Sequence, residues 1–503
     1  MKKAIQPAGA LPMKAPLIVK PKACVGCRAR KVKCDRETPC GNCIRWSVAC
    51  TYPSPVRTCN RPSKKLFQTE PNPQDAIRTP SPELWDLDIS IRICKPPAVS
   101  SPSLSRARAC WQIFVERVDP VVKVLHRTSA ERVLVASVCQ PESLRSSEEA
   151  LVYAIYFASM ASMTSDEVRE YFHANKDTAF TAHAHLVEQS LARAAFLLDD
   201  ELSTLQALVL FLTINRLSGR PSVAWKLTGL AKRSEVFRRA NLTIFEREMR
   251  ARLWWNLWYL DHRAVKDLGE EDVSDKDTFP ESPLNINDAG LDPGATEAPA
   301  PREGWTEVTF SLVRFDIART RRQLQSQHDI KQSERLIQAC ETRIHSQYLR
   351  HSTNNEPIQW LTQHVAHVLI MEMWFELYSA DTVPISSWSQ NVQDRLFLLA
   401  IDIVDVSARL KAEPHAQQWS WLLTGYQQYR PLAFLLNELC YRQECEAVDH
   451  AWKVVEDAVT RWPDQVRASV SAKILAGLRQ RARRVQLQIT QRQISGDDQI
   501  DSI

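Results

Sequence analysis

Six cysteines stand within 27 residues, at Cys24, Cys27, Cys34, Cys40, Cys43 and Cys50. Their spacing repeats one unit, a CxxC pair followed six residues later by a third cysteine. Two-residue spacing lets both sulfurs of a CxxC reach one tetrahedral Zn²⁺ at about 2.3 Å. Six thiolates cannot fill two separate four-ligand sites, so two ligands must be shared, and two Zn²⁺ per chain bridged by two sulfurs satisfy both metals. A segment this short, without a hydrophobic core, needs such a staple to fold. The competing uses of sulfur are weaker. A disulfide framework needs an oxidising compartment, a redox CxxC needs a surrounding βαβ pattern, and a one-zinc finger leaves the duplicated spacing as coincidence.

Between the thiols lies Arg28-Ala-Arg30-Lys31-Val-Lys33. The charge imbalance is wider than this run: residues 1–65 hold 15 Lys or Arg against only Asp35 and Glu37. That short end carries +13 of a chain whose net charge is +5, so the other 438 residues sum to −8. A basic arm on a mildly acidic body points to a polyanionic partner, with a solvated basic tail as the bland alternative. Six thiolates with two Zn²⁺ sum to −2, so nearby cations also balance the cluster itself.

The sequence from Cys24 to Tyr52, CVGCRARKVKCDRETPCGNCIRWSVACTY, resembles the fungal binuclear zinc cluster (Zn₂Cys₆) transcription factors, with the family spacing at all six cysteines, the basic run, Asp35 and Pro39. The resemblance implies that Cys24 and Cys40 bridge the metals, that Cys27 and Cys34 complete one site, and that Cys43 and Cys50 complete the other. It implies that residues 28–33 form a short helix entering the major groove, with Lys31 reading a CGG-type triplet. Lys donors suit guanine O6 and N7. Arg28, Arg30 and Lys33 are assigned to phosphates or flanking bases, with Lys22 and Arg36 as weaker candidates. Ile44 and Trp46 are expected to pack the small module.

The rest of the chain must carry and regulate this reader. Residues 1–23 are expected to be a disordered basic N-terminus, 24–50 the Zn₂Cys₆ DNA-binding domain, and 51–103 an extended linker, because ten of the 28 prolines fall there. That linker has no heptads, so no coiled coil follows the cluster, and homodimerisation through the body and monomeric binding both stay open. Residues 104–494 show 3.6-residue apolar spacing and read as an all-α regulatory domain, interrupted by a proline-rich break from Phe279 to Gly304 and followed by an acidic tail, 495–503. FEREMRARLWWNLWYLDHR, residues 245–263, resembles the hallmark helix of the family's middle regulatory domain, with Glu246, Arg250, Trp254, Trp255 and Asp261 in the pattern. Its aromatics read as core before they read as an effector pocket. Gly229 and Ala231 in the preceding segment read as small contact residues, Asn241 as a left-handed stop, and PLNIND, residues 283–288, resembles the loop after the hallmark helix.

Several classes recede. Glycine is scarce, 12 in 503, and GxGxxG, GxxxxGK[ST], GxSxG and HExxH are absent from the sequence, so no catalytic motif is seen and the chain is not expected to be an enzyme. His183, His185, His364 and His367 read as ordinary helical histidines, and the Arg-rich stretch around Leu478 to Ile489 as a solvated amphipathic end. No apolar run approaches a membrane span, and the first 23 residues lack the apolar core of a secretory signal. The whole predicts a mainly α, nuclear, double-stranded-DNA-binding transcription factor of RNA polymerase II genes, an activator of a metabolic or biosynthetic gene set. Its alternating acidic and apolar segment, residues 83–89, would reach coactivators. The competing classes are a zinc- or thiol-dependent enzyme and an RNA- or protein-binding zinc adaptor.

Overall fold

The computed structural model describes residues 24–51 except 25, 26, 28, 29, 31, 36, 38, 48 and 49, then 104–198, 201–268, 281–353, 355–379, 389–462, 464–467 and 469–497. The expected N-terminal arm, the proline-rich linker with its 83–89 segment, and most of the acidic tail lie outside these residues. The chain divides into two compact units, residues 1–89 and 90–503. In the first, the described helix is α1 (Gly41–Arg45).

The second unit is helical, as the apolar spacing predicts, and no strand occurs among the described residues. Its first half runs α2 (Leu104–Ile113), α3 (Arg127–Cys139), α4 (Ser146–Ser162), α5 (Ser165–Phe172), α6 (Lys176–Arg193), α7 (Leu202–Leu217), α8 (Pro221–Ala231) and α9 (Ile244–Leu268). The second half runs α10 (Thr309–Gln325), α11 (Ile330–Ile344), α12 (Pro357–Tyr378), α13 (Gln390–Ala412), α14 (Ser420–Leu423), α15 (Tyr429–Glu438), α16 (Glu446–Thr460), α17 (Asp464–Arg467) and α18 (Val470–Asp497). The break is present: residues 281–308 are irregular apart from one short turn at Asp288–Gly290.

Two helices are apolar around most of their circumference, and such helices end up central. α4 packs against α2, α6 and α7, and α7 in turn against α8 and α9. α12 carries the second half, packed on α10 and α13, with α13 leading to α15 and α16. One hydrophobic cluster runs through both halves, from Ala107 to Ala482. Helix starts follow local chemistry: Thr164 caps α5 in a capping box with Glu167, and Thr243 with Glu246 does the same ahead of α9.

The hallmark helix lies within α9 and behaves as core. Leu253, Leu257 and Leu260 are buried in the main cluster, while Trp255 and Trp258 pack with Tyr259 against Phe315 and Leu312 of α10. Arg250 Nε donates to the Val236 carbonyl at 2.8 Å, and Lys232 pairs with Asp261 at 3.2 Å. Asn241 is left-handed, with φ 57°, between a short turn at Glu235–Phe237 and α9. One expectation in α8 is corrected: a Cβ added at Gly229 would meet only the Arg233 side chain, so only Ala231 of the small pair is a buried contact, and Leu230 between them is exposed. The cause is that α8 ends at Ala231, which leaves the last turn at the surface.

The PLNIND loop supplies the residue on which this unit turns. Asp288 accepts from Lys123 Nζ at 2.7 Å and from Arg252 Nη1 at 2.7 Å, and both cations are fully buried. Lys123 also meets Asp119 at 2.8 Å, and Arg252 meets Glu248 at 2.7 Å. Burial alone would raise the Asp288 carboxyl, but Lys123 and Arg252 outweigh it and hold the group well below the usual carboxylate range. Replacing one partner of such a buried pair leaves charges unmatched in the interior.

Asp288→Asn should therefore destabilise the protein by about 3–5 kcal/mol in urea unfolding, and an unchanged midpoint would refute the role. A depressed carboxyl stabilises above its unfolded pKa and loses that contribution as pH falls through the folded one. Hydrogen bonds from Arg117 hold Glu167 at about 2 in the same direction. Acid unfolding of the body should accordingly set in below about pH 4, and Asp288→Asn should flatten that acid limb.

Candidate metal centre and nucleic-acid interface

The two CxxC pairs fold alike. The Cys27 amide donates to Cys24 Sγ at 3.3 Å, and the Cys43 amide donates to Cys40 Sγ at 3.4 Å. Each turn thus points two sulfurs to one side, and Cys40 becomes the N-cap of α1. The repeat seen in the spacing is a repeat of local geometry.

The sulfurs converge. Cys24, Cys27, Cys40 and Cys43 are buried, with their Sγ atoms all within 4.8 Å of one another. Cys24 to Cys40 is 3.6 Å, Cys24 to Cys43 is 3.6 Å and Cys27 to Cys40 is 3.5 Å. Sulfurs placed about 2.3 Å from a tetrahedral ion lie about 3.8 Å apart, so these separations suit metal ligands. They are too long for disulfides, and all six cysteines are free. Cys34 interacts with Cys27, and Cys50 with Cys43 and with the Cys40 amide at 3.3 Å. The four buried sulfurs form one group, with Cys34 within 4.8 Å of Cys40 on one side and Cys50 against Cys43 and the Cys40 amide on the other.

These thiols need a cation. Burial pushes Cys27 and Cys40 up and Cys43 up to about 12, while the Cys27 amide lowers Cys24 to about 6. Metal charge reverses that preference and deprotonates coordinating thiols outright. The donor set is all sulfur at zinc spacing, so the residues fit the metal.

Three residues that the spacing argument did not assign a job hold the two halves together. Asp35 accepts from the Gly41 amide at 2.6 Å and the Glu37 amide at 3.2 Å, and Asn42 Nδ2 donates to the Lys33 carbonyl at 2.8 Å. A Cβ at Gly41 would sit 2.8 Å from Asp35 Oδ2, so glycine there is a matter of space. An acidic residue six positions ahead of a helix start was the available signal.

Of the four assigned DNA contacts, Arg30 and Lys33 are described and exposed, while Arg28 and Lys31 lie outside the described residues, as do Lys22 and Arg36. The expected helix over 28–33 is corrected at its end. Val32 and Lys33 are not helical, because the chain must turn to bring Cys34 back to the metal and Lys33 gives its carbonyl to Asn42. Ile44 and Trp46 do not pack the module: each is 62% exposed, and the Arg30 guanidinium lies 5.6 Å from the Trp46 ring. With metal ligands filling the interior, no room remains for them inside. Away from the module the histidines are ordinary: His183 and His364 each bond the carbonyl four residues back, and His185 meets Glu188. The α18 arginines are mostly solvated, with Arg479 and Arg483 pairing Glu456. No described helix is long and apolar enough to cross a membrane.

A cysteine-ligated cluster beside exposed cations, with an all-α unit in the same chain, defines a zinc-dependent DNA-binding regulator. Residues 22–59 match the fungal Zn(2)-Cys(6) binuclear cluster domain, and residues 111–278 match the fungal specific transcription factor domain. The aurofusarin cluster transcription factor of Gibberella zeae is 24% identical over 88% of this chain and 76% of its own length. A C6 finger domain transcription factor of Arthroderma benhamiae is 24% identical over 90% of this chain and 78% of its own. Among solved structures, the K. lactis CBF3 core shares the fold, with a TM-score of 0.54 at 13% identity over 82% of this chain and 92% of that one. These matches support a fungal Zn₂Cys₆ transcription factor, and the cluster domain with its converging cysteines supports two Zn²⁺ as cofactors.

Asp35→Ala removes the bond that joins the two halves of the module. Zinc affinity, read by chelator competition, should fall about tenfold or more, as loss of an outer support typically costs, and an unchanged affinity would remove Asp35 from this role.

Proposed function

We propose that the chain is a nuclear, sequence-specific regulator that reads a CGG-type triplet through the major groove of double-stranded DNA. The observation that carries the reading is the convergence of the buried sulfurs of Cys24, Cys27, Cys40 and Cys43, with Cys34 and Cys50 against them and Arg30 and Lys33 exposed in the same module. In this reading Cys24 and Cys40 bridge the two metals, Cys27 and Cys34 complete one site, and Cys43 and Cys50 complete the other. The metals hold the shape of a segment too short to fold alone, and one tetrahedral site, through Cys27 and Cys34, fixes both ends of the basic run.

Lys31 takes the base edges, while Arg28, Arg30 and Lys33 take phosphates. The Arg30 guanidinium beside the exposed Trp46 ring is pre-ordered for such a contact, since a cation held near an aromatic face gives up less freedom on binding. Residues 24–50 form the reader, 51–103 a linker and 104–494 the regulatory body. We read the chain as a regulator and not as an enzyme, since both matched domains and the relatives are those of transcription factors. One relative is named for the aurofusarin cluster, which supports control of a gene cluster as the output, and we take the sign of that control to be activation. Coactivators are the partners expected of such an output, and the number of copies on DNA follows from the spacing of selected sites.

Selection of bound sequences from random duplex DNA by the full chain, with zinc counted by native mass spectrometry, tests the proposal. Two zinc ions per chain and a recovered G/C triplet are expected; one zinc, or no triplet, overturns it. Lys31→Ala should lower discrimination at one position by about 1–3 kcal/mol. Arg30→Ala should weaken binding to all sequences and flatten the log–log salt slope by about 0.9 if it meets one phosphate.

A further inference from the structure

A cavity of about 360 Å³ opens in the regulatory body between the end of α7, the end of α9, α12 and the turn ahead of α15. Its volume is that of a small-molecule site. Leu217, Pro221, Phe375, Tyr426 and Tyr429 give it apolar and aromatic walls. Gly425 shapes it: a Cβ there would lie 2.5 Å from Leu217 Cδ2, so the turn approaches α7 as closely as backbone can.

The charges lining the cavity do not balance. Asp267 is taken by Arg216. Glu372 is taken by Lys266 at 2.5 Å and Arg321 at 3.0 Å, and Glu376 by the same two cations at 3.1 and 2.9 Å. Arg263 is left over. Its side chain is 4% exposed, its Nη2 donates to the Gly425 carbonyl at 2.7 Å, and its Nε and Nη1 have no hydrogen-bond partner. Burial disfavours its charge, while Tyr259, Asp267, Tyr426 and Glu372 outweigh that and keep it charged, yet neither carboxylate forms an ion pair with it. The Tyr426 ring lies 4.8 Å from its guanidinium. A second cation, Arg430, stands exposed at the edge of the same cavity.

A guanidinium this buried is ordinarily matched by a carboxylate, because an unmatched interior charge is costly. Among the described residues every carboxylate at the cavity is already matched, so the anion assigned to Arg263 is one from outside the chain. The fork of an arginine suits a planar carboxylate, and flanking tyrosine and phenylalanine rings suit a flat apolar body. We propose that this cavity is an effector site for a small aromatic carboxylate, with Arg263 as its anion-binding residue. The ends of α7 and α9 and the turn before α15 all line it, so an occupant would draw together elements from both halves of the regulatory body.

The test uses the full zinc-loaded chain with 4-hydroxybenzoate as the probe and 4-hydroxybenzamide as its uncharged isostere. The acid should raise Tm in a saturating manner by about 2 °C or more. By isothermal titration it should bind at least tenfold more tightly than the amide. Arg263→Gln should lose the shift, and Arg263→Lys, which keeps the charge but not the fork, should weaken binding while leaving the circular dichroism of the body unchanged. No shift with the acid, equal shifts with acid and amide, or an undiminished shift in both Arg263 variants would each overturn the proposal. Should Arg263→Gln fail to fold, the acid-to-amide ratio in the unaltered protein and the Arg263→Lys titration still decide it.

Discussion

The carboxylate of Asp288 neutralises two cations that no water reaches, Lys123 and Arg252, and through them the segment before α3, the middle of α9 and the irregular segment after it become one piece. The requirement behind this contact is general: a charge withdrawn from water must find an opposite charge or coordinate a metal. The same requirement governs the small unit, where buried sulfurs without a core around them are held together by zinc. It also governs the cavity near Arg263, where the match is incomplete among the described residues. Metal in one unit and a carboxylate in the other solve one physical problem, and each solution fixes the geometry on which function rests.

The two units divide the work by size. The zinc module is a 27-residue reader whose entire interior is sulfur and metal, so its outward surface is free for recognition: Arg30, Lys33, Ile44 and Trp46 are all exposed. The helical unit has a core continuous from Ala107 to Ala482 and ample interior in which to bury specific polar groups. Only an interior of that extent can hold a guanidinium such as Arg263 beside a cavity, which is the arrangement a ligand-responsive body needs.

The helical class, the break after α9 and the core role of the hallmark aromatics were legible because each rests on local periodicity or on proline. Leu253, Leu257 and Leu260 recur on one face and are buried there. Less legible were the ends of elements. Leu230 fits the apolar period of α8 but falls on a final turn that the rest of the body does not cover, and Val32 and Lys33 lie in a segment the metal pulls out of helix. Ile44 and Trp46 looked like core because large apolar residues usually are, but in a module filled by metal ligands there is no core for them to join. The ionic partners of Asp288 could not be read either. Lys123 lies 165 residues away and Arg252 lies 36 away, and no local pattern pairs residues at such separations.

What the sequence by itself determined is the metal chemistry and the class of protein, since thiol ligands at CxxC spacing are positioned by a few bonds of local chain and need little else to be brought together. Tertiary structure alone decided which charges are matched. The pairing of Asp288 with Lys123, the locking of Asp35 onto Gly41 and the isolation of Arg263 depend on which distant segments meet and how much water they exclude, and neither is encoded within any single stretch of the chain.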